Sequence, residues 1–231
     1  MALRIVCAVF GLAAAALAVA AAPLPADPRA AKAVQDYLRQ QQADDSKDRD
    51  ERVAAHLDAL ADNPGSPVMA NPQGDITIVE FFDYTCPYCK AAEPRLMRLV
   101  DGDKRVKLVM KEFPILTPVS LPASRMALAA AKQGKYRAFH LAMMRREGQW
   151  NEADILETAK AVGVDVNRAR REMYAPDITD EIIANFNLAR AVRVFQTPAY
   201  IVGGHLVTGD SADINFPREV ARAKAENQHR P

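Results

Sequence analysis

The chain is organised around one stretch, Phe81-Phe82-Asp83-Tyr84-Thr85-Cys86-Pro87-Tyr88-Cys89-Lys90, which places a Cys-x-x-Cys pair between two predicted elements. The apolar run before it, residues 76–82, predicts a buried strand. Residues 90–100 carry apolar side chains at helical spacing. Thr85 is a preferred N-cap residue and Pro87 suits a first helical turn. We therefore expect a helix that begins here, with Thr85 as its N-cap.

This position favours redox chemistry at Cys86. Free backbone N–H groups and the helix dipole at a helix N-terminus stabilise an anion. A thiolate held there has a pKa below the usual value of about 8.5 and is both a nucleophile and a good leaving group. Cys89, one turn further along, is expected to lie deeper. The pattern predicts an attacking sulfur and a resolving sulfur.

Three other interpretations of the cysteine pair compete with redox exchange. A zinc site needs about four Cys and His ligands, but the third cysteine is Cys7 and the sequence has no closely spaced histidine pair. A structural disulfide across two residues constrains little of the unfolded chain. Inert core thiols fit poorly with the polar position beside Lys90. Redox exchange is the favoured interpretation, with metal and structural roles as the alternatives.

The length and charge of the chain limit which other functions and domain organisations it can have. The chain has 231 residues and a formal net charge of +1, with basic and acidic side chains interspersed. This pattern predicts no nucleic-acid binding and no electrostatic attachment to anionic membranes. One domain with an appendage is expected for this length.

The N-terminus is typical of a secretory signal peptide, predicted as residues 1–20. Arg4 precedes an apolar segment that ends in the small-x-small pattern Ala18-Val19-Ala20. A retained membrane anchor is the alternative. Cleavage after Ala20 would leave Cys86 and Cys89 as the only cysteines of an exported protein, and we expect a periplasmic location.

Residues 21–63 are predicted to form an N-terminal helical extension. Val34, Tyr37 and Leu38 form one small apolar stripe, and a second comprises Val53, Leu57 and Leu60. Neither stripe can bury itself alone. Two interpretations stay open: the second stripe docks on the domain while the first half frays, or residues 29–60 join subunits in a homo-oligomer.

Residues 64–231 are predicted to form the main domain. Val68 to Ala70 is an edge strand or a loop, and residues 105–113 predict a second long strand. A helical block of about residues 120–194 follows, in which residues 124–146 read as one helix. A hairpin turning at Gly203-Gly204 and a closing helix end the domain. The order predicts an α/β fold with an inserted helical subdomain.

These residues resemble the DsbA-like branch of the thioredoxin fold, from about Ser66 to Glu226. The motifs that carry the resemblance are residues 80–89, Pro94 inside the helix, Lys111-Glu112-Phe113-Pro114, the helical insert and Thr197-Pro198 before the hairpin. The sequence is most similar to the periplasmic ScsC-type group, some members of which carry an oligomerising arm.

The resemblance implies roles for Glu80 and for six residues of the cysteine motif and the loop before the hairpin. Cys86 is implied as the nucleophile and Cys89 as the resolving thiol. Thr197-Pro198 matches the family's cis-proline loop, where an extended substrate chain pairs with the backbone; an ordinary trans proline is the alternative. Pro87 and Tyr88 are expected to contact the substrate.

Glu80 matches the family's buried acid behind the disulfide. In an apolar setting a carboxyl has a raised pKa and can exchange a proton with Cys89. The alternative is a solvated glutamate or one paired with a lysine such as Lys90 or Lys111.

The predicted function is thiol–disulfide exchange on cysteine-containing exported proteins, without a cofactor. Strong oxidases of the family have histidine where this chain has Tyr88, so we expect a milder potential. The family implies recycling by a membrane redox protein of the DsbB or DsbD type. A copper(I)-binding or chaperone module that uses both thiolates is the alternative.

Overall fold

One mixed sheet forms the centre of the protein in a computed structural model, which describes residues 47–207 and 214–228. Within these residues the sheet has five strands in the order β1-β3-β2-β4-β5, with β2 and β3 parallel and the other neighbours antiparallel. The strands are β1 Val68–Ala70, β2 Ile76–Phe82, β3 Val106–Glu112, β4 Ala199–Val202 and β5 His205–Val207.

The helices cover both faces of the sheet. In chain order they are α1, residues 47–54, then α2 Leu57–Ala61, α3 Pro87–Gly102, α4 Ser120–Ala131, α5 Tyr136–Met144, α6 Glu152–Ala161, α7 Val166–Glu172, α8 Pro176–Ala191 and α9 Phe216–Gln228. Helices α4 to α8 form the predicted insertion between β3 and β4. The architecture is an α/β thioredoxin-like fold with a helical insertion, as the sequence predicted.

The two faces of β2 bury different cores, which explains its almost continuously apolar sequence. Ile78 and Phe82 pack with α3, α9 and the insertion. Val79 and Phe81 point the other way, into a second cluster with residues of α8 and the N-terminal extension. Because side chains alternate along a strand, Glu80 lies on the same face as α3.

The second apolar stripe of the N-terminal extension docks on this second cluster. Val53 and Leu60 are both 0% exposed, and Leu57 packs beside them. The ammonium of Lys111, from β3, donates a hydrogen bond to the carbonyl of Ala59 at 2.9 Å. The first stripe, Val34 to Leu38, lies outside the described residues, so oligomerisation through residues 29–60 stays a prediction.

Replacing Leu60 with alanine is expected to lower the free energy of unfolding by about 2–3 kcal/mol, because it leaves a cavity against the sheet. Chemical denaturation of the full chain measures the change. Leu121→Ala is the matched control, since Leu121 is 38% exposed. Equal effects of the two substitutions would contradict the docking of the extension.

One helix boundary differs from the prediction, and one open alternative is decided. Residues 124–146 form parts of two helices, α4 and α5, because the chain turns at 132–135 through Gly134, whose φ is +67°. Val68–Ala70 is an edge strand paired with β3. The hairpin turn at Gly203-Gly204 is confirmed, with φ values of +59° and +94° that favour glycine. No helix in residues 47–207 and 214–228 has the length and apolarity needed to cross a membrane.

Candidate active site

The cysteine pair lies at the N-terminus of α3, but the N-cap is Cys86 and not Thr85 as predicted. The helix begins at Pro87, and the sulfur of Cys86 accepts a hydrogen bond from the backbone N–H of Cys89 at 3.3 Å. Thr85 lies one residue before the cap, and its N–H and hydroxyl both donate to Oδ1 of Asp83, at 2.7 and 2.8 Å. The sulfur therefore takes the anion-stabilising position itself.

The surroundings of Cys86 favour its thiolate. Its pKa falls to about 6, chiefly because the thiol of Cys89 hydrogen-bonds to it. Thr197 and the N–H groups of Cys89 and Tyr88 lower the pKa further, while burial opposes them. A large fraction of Cys86 is then ionised at neutral pH, as a nucleophilic cysteine requires.

Cys89 has the opposite character. It is 0% exposed, and its pKa is raised, first by burial, then by its hydrogen bond to Cys86 and by the charge of Glu80. Both sulfurs are free thiols in this structure. Cys89 must therefore give its proton to a base before it can attack a disulfide.

Alkylation is expected to separate the two thiols. Iodoacetamide reacts with thiolates, so modification of Cys86 should rise with a midpoint near pH 6, the pKa of that thiol. Cys89 should stay unmodified through pH 9. Peptide fragmentation locates each adduct, and glutathione in the same tube provides the midpoint of an ordinary thiol. A midpoint for Cys86 equal to that of glutathione would contradict the described environment.

The loop before β4 lies against the reactive sulfur. The peptide bond Thr197-Pro198 is cis, as the resemblance implied. The carbonyl oxygen of Thr197 is 3.3 Å from the sulfur of Cys86 and accepts a hydrogen bond from the protonated form of that thiol. Cys86 itself is only 1% exposed, and this loop contacts its sulfur.

Glu80 is buried beneath the pair. It is 0% exposed, and Oε1 accepts a hydrogen bond from the hydroxyl of Tyr200 at 3.0 Å. Burial, followed by the charge of Glu93, raises its pKa well above the usual value. The solvated and lysine-paired alternatives are wrong: Lys90 donates to the carbonyls of α5 and its following loop, and Lys111 lies on the other face of the sheet.

Asp83 is a site residue that the sequence analysis missed. Its carboxylate is 0% exposed and joins three segments around Cys86. Oδ1 accepts hydrogen bonds from Thr85 and, at 2.8 Å, from the hydroxyl of Ser120 at the start of α4. Oδ2 accepts from the N–H groups of Ile115 and Leu116 at 2.9 and 3.0 Å. An aspartate two residues before a threonine at a strand end is a sequence signal for such a turn.

One hollow borders the start of α3, and a second borders the cis-proline loop. A groove of about 830 Å³ lies between α3 and the end of α5, where Pro87 and Lys90 face Met144 and Trp150. A smaller hollow of about 140 Å³ lies beside Pro198. Tyr88, which lies between the two cysteines in the sequence, is 58% exposed. The structure thus places the seven residues that the sequence singled out around the cysteine pair, with Glu80 and both cysteines buried.

In the described part of the chain, no group of three or more His, Cys, Asp and Glu side chains is arranged to hold a metal ion. The two thiols of Cys86 and Cys89 are the ligands on which a copper(I) site would depend.

A thioredoxin-type sheet, a helical insertion between β3 and β4, and a cis proline facing a helix-capping cysteine define a class of thiol-dependent redox proteins. Residues 77–216 match the DSBA-like thioredoxin domain family. The chain belongs to this family.

Solved structures agree with the assignment. A thioredoxin-like oxidoreductase from Silicibacter pomeroyi is 43% identical, with a TM-score of 0.69, and the match covers 73% of this chain and 97% of that one. The thiol-disulfide exchange protein alpha-DsbA2 from Wolbachia pipientis is 25% identical, with a TM-score of 0.71, covering 78% and 97% of the two chains.

Curated relatives are longer than the region they share with this chain. "Putative protein-disulfide oxidoreductase" of Rickettsia typhi is 26% identical over 166 residues, which is 68% of this chain and 61% of that protein. Na(+)/H(+) antiporter NhaA 3 of Salinispora tropica is 28% identical over 134 residues, 57% of this chain but only 21% of the antiporter.

Proposed function

We propose that the protein is a periplasmic thiol–disulfide oxidoreductase that acts on cysteines of exported proteins. The observation that carries the proposal is the opposite acidity of two neighbouring thiols, Cys86 with a lowered pKa and Cys89 with a raised one. One sulfur is thereby prepared to attack or leave, and the other is held protonated until it is needed.

The exchange proceeds in two steps. In the reductive direction the thiolate of Cys86 attacks a substrate disulfide, forming a mixed disulfide and releasing one substrate thiolate. Cys89 then transfers its proton to the carboxylate of Glu80 and attacks the sulfur of Cys86. The Cys86–Cys89 bond forms, the second substrate thiolate leaves, and the enzyme dithiol has been oxidised while the substrate disulfide has been reduced. Oxidation of a substrate is the reverse.

The substrate chain is proposed to lie along the loop of Thr197 and Pro198, with Pro87 and Tyr88 on the opposite side of Cys86. Proline offers no N–H or charge to disturb the sulfurs. The exposed ring of Tyr88 supplies apolar contact area without fixing a sequence.

Refolding of ribonuclease A tests the activity. The full chain should accelerate recovery of active ribonuclease from the reduced form, from the scrambled form, or from both. Acceleration of only the reduced form would identify an oxidase, and acceleration of the scrambled form an isomerase. No acceleration of either form, at any glutathione ratio, would reject the proposed function.

The equilibrium of the Cys86–Cys89 pair with glutathione defines the direction. A strong oxidase has a reduction potential of about −120 mV and a shuffling enzyme one of about −180 to −200 mV. Because Tyr88 replaces the histidine of strong oxidases, we expect the second range. No observation among the described residues favours the copper(I) alternative, which titration of the reduced protein with copper(I) tests.

Export, recycling and assembly complete the proposal. Residues 1–20 are the proposed signal peptide, and mass spectrometry of periplasmic extracts should find a chain that begins at Ala21. A membrane redox protein of the DsbB or DsbD type is the proposed recycling partner. Light scattering of the exported chain measures whether residues 29–60 join subunits.

A further inference from the structure

The groove at the start of α3 is large enough for a peptide segment and lies next to the reactive sulfur. Its volume is about 830 Å³, and Thr85 and Pro87, the two neighbours of Cys86 in the sequence, line it. The turn that follows α5, residues 145–148, lines it as well, and we call this segment the basic turn. The charged side chains that line the groove are Lys90, Arg145, Arg146 and Glu147.

Two of the three cations already have partners in the protein. The guanidinium of Arg146 pairs with the carboxylate of Asp154. The ammonium of Lys90 donates to the carbonyl of Met143 at 3.3 Å and to that of Arg146, which fastens the basic turn to α3. Arg145 is exposed, and no carboxylate in the described part of the chain pairs with it. Its guanidinium can therefore pair with a carboxylate that enters the groove.

The acids near the groove do not cancel its charge. Glu147 lines the groove, and Asp154 is the partner of Arg146. Three cations thus face two carboxylates, and the groove keeps a net positive charge. Charge of this sign attracts acidic segments and disfavours basic ones, because like charges brought together at an interface repel each other.

The remaining surface around the groove is apolar. Trp150, the single tryptophan of the chain, lines the groove in a half-buried position, as does Val119. The loop that leads to Val119 carries Ile115 and Leu116, which are 36% and 48% exposed. The N–H groups of both donate to Asp83, so this loop is held in place before a substrate binds. An extended chain alternates its side chains between two sides, and it can turn apolar groups to this surface and acidic groups to the basic turn.

We propose that the groove binds the part of a substrate next to its reactive cysteine and favours segments in which acidic and apolar side chains alternate, with Arg145 selecting the acid. The inference rests on the proposed exchange function and names the class of cysteine-containing segment that the enzyme prefers. The contact lies outside the sulfur pair. It therefore changes the affinity for the substrate and leaves the chemistry of Cys86 as described.

Fluorescence of Trp150 reports binding in the groove, because the chain has no other tryptophan. Reduced full-length protein is titrated with three capped peptides of the pattern Leu-X-Ala-Ser-Ala-X-Leu, in which X is Glu, Gln or Lys. Serine stands in for the reactive cysteine, so no disulfide forms. The Glu peptide should bind about 3- to 5-fold more tightly than the Gln peptide, the effect of one exposed ion pair. The Lys peptide should bind most weakly, and about 0.5 M NaCl should remove most of the differences.

Substitutions of Arg145 assign the preference to one side chain. Arg145→Gln should bind the Glu and Gln peptides equally, and Arg145→Glu should prefer the Lys peptide. Arg145→Lys should keep most of the preference for Glu, because it keeps the charge. Arg190→Gln is the matched control, since Arg190 is an exposed arginine of α8 that does not line the groove. This variant should resemble wild type.

The same order should appear in the exchange reaction. Peptides with cysteine in place of the serine are supplied as symmetric disulfides; attack by Cys86 forms a mixed disulfide and releases one peptide thiolate. Acid quenching and mass spectrometry give the rate, and comparing proteins on the same peptide cancels its intrinsic reactivity. Arg145→Gln should slow the Glu peptide about 3- to 5-fold. Its rate with hydroxyethyl disulfide, which is small and uncharged, should match that of wild type.

Three results would overturn the inference. Equal affinities of the three peptides for wild type are one, and a preference for Glu that survives in Arg145→Gln is another. The third is Trp150 emission that no peptide changes at millimolar concentration. A wild-type chain that forms no adduct with hydroxyethyl disulfide would instead reject the proposed function, so the two failures are distinguishable.

Discussion

Substituting Cys86 by serine is expected to reduce exchange by at least about 1,000-fold, because a hydroxyl neither ionises near neutral pH nor forms a disulfide. Cys89 cannot replace it, since that thiol is fully buried and its pKa is raised by burial. The rate of ribonuclease refolding with the full-length variant measures the loss. Far-ultraviolet circular dichroism should match wild type, because the change of one atom leaves the packing of α3 intact.

Cys89→Ser is the matched control, since it changes the same atom one turn away. It should keep the first step, attack by Cys86, and accumulate the mixed disulfide that Cys89 would resolve. Equal loss of adduct formation in both variants would contradict the division into an attacking and a resolving sulfur. Retained exchange in Cys86→Ser would reject the site altogether.

Asp83→Ala is expected to lower the free energy of unfolding by about 4 kcal/mol. The substitution leaves the buried hydroxyl of Ser120 and the part-buried donors of Thr85, Ile115 and Leu116 without their acceptor. A buried donor left without a partner costs about 1–3 kcal/mol, and a part-buried donor costs less because water can reach it. The loop that precedes Cys86 also loses its anchor. The alkylation midpoint of Cys86 should therefore move upward from pH 6, toward that of an ordinary thiol.

Denaturant unfolding and the alkylation profile measure these two effects. Asp101→Ala is the control: Asp101 also accepts hydrogen bonds, from Arg137 at 2.8 Å, but its side chain is 58% exposed. Exposed pairs contribute about 0–1 kcal/mol. Similar losses in the two variants, with an unchanged midpoint for Cys86, would show that Asp83 does not position the cysteine loop.

Local patterns in the sequence predicted most of the site. Strand alternation places Glu80 on the same face as α3, and the strand–helix junction predicts the reactive position of Cys86. The N-cap was assigned wrongly because Thr85 has a stronger general preference for that position than cysteine. In the structure the hydroxyl of Thr85 donates to Asp83. Asp83 is held in place by hydrogen bonds from residues about 32 to 37 positions away, which a local sequence pattern does not reveal.

Local sequence patterns did not predict which distant segments contact each other. Glu93 and His140 are 47 positions apart and meet only because α5 packs on α3. Ile115 and Leu116 reach Asp83 across 32 and 33 positions. A periodicity indicates which face of a helix is apolar, but it does not identify the element that faces it. The break at Gly134 was missed for a related reason, since apolar spacing continues across the turn into α5.

The docking of Val53 and Leu60 on the back of the sheet bears on how the protein is shortened in the laboratory. A chain that starts at residue 63 would lack Val53 and Leu60. It would leave Val79 and Phe81 uncovered, on the strand that leads to Cys86. Such a fragment would expose apolar surface on the sheet. Its aggregation or low exchange activity would then be mistaken for an effect of removing an oligomerisation segment. A start at residue 47 would retain the covering helices and leave the catalytic half undisturbed.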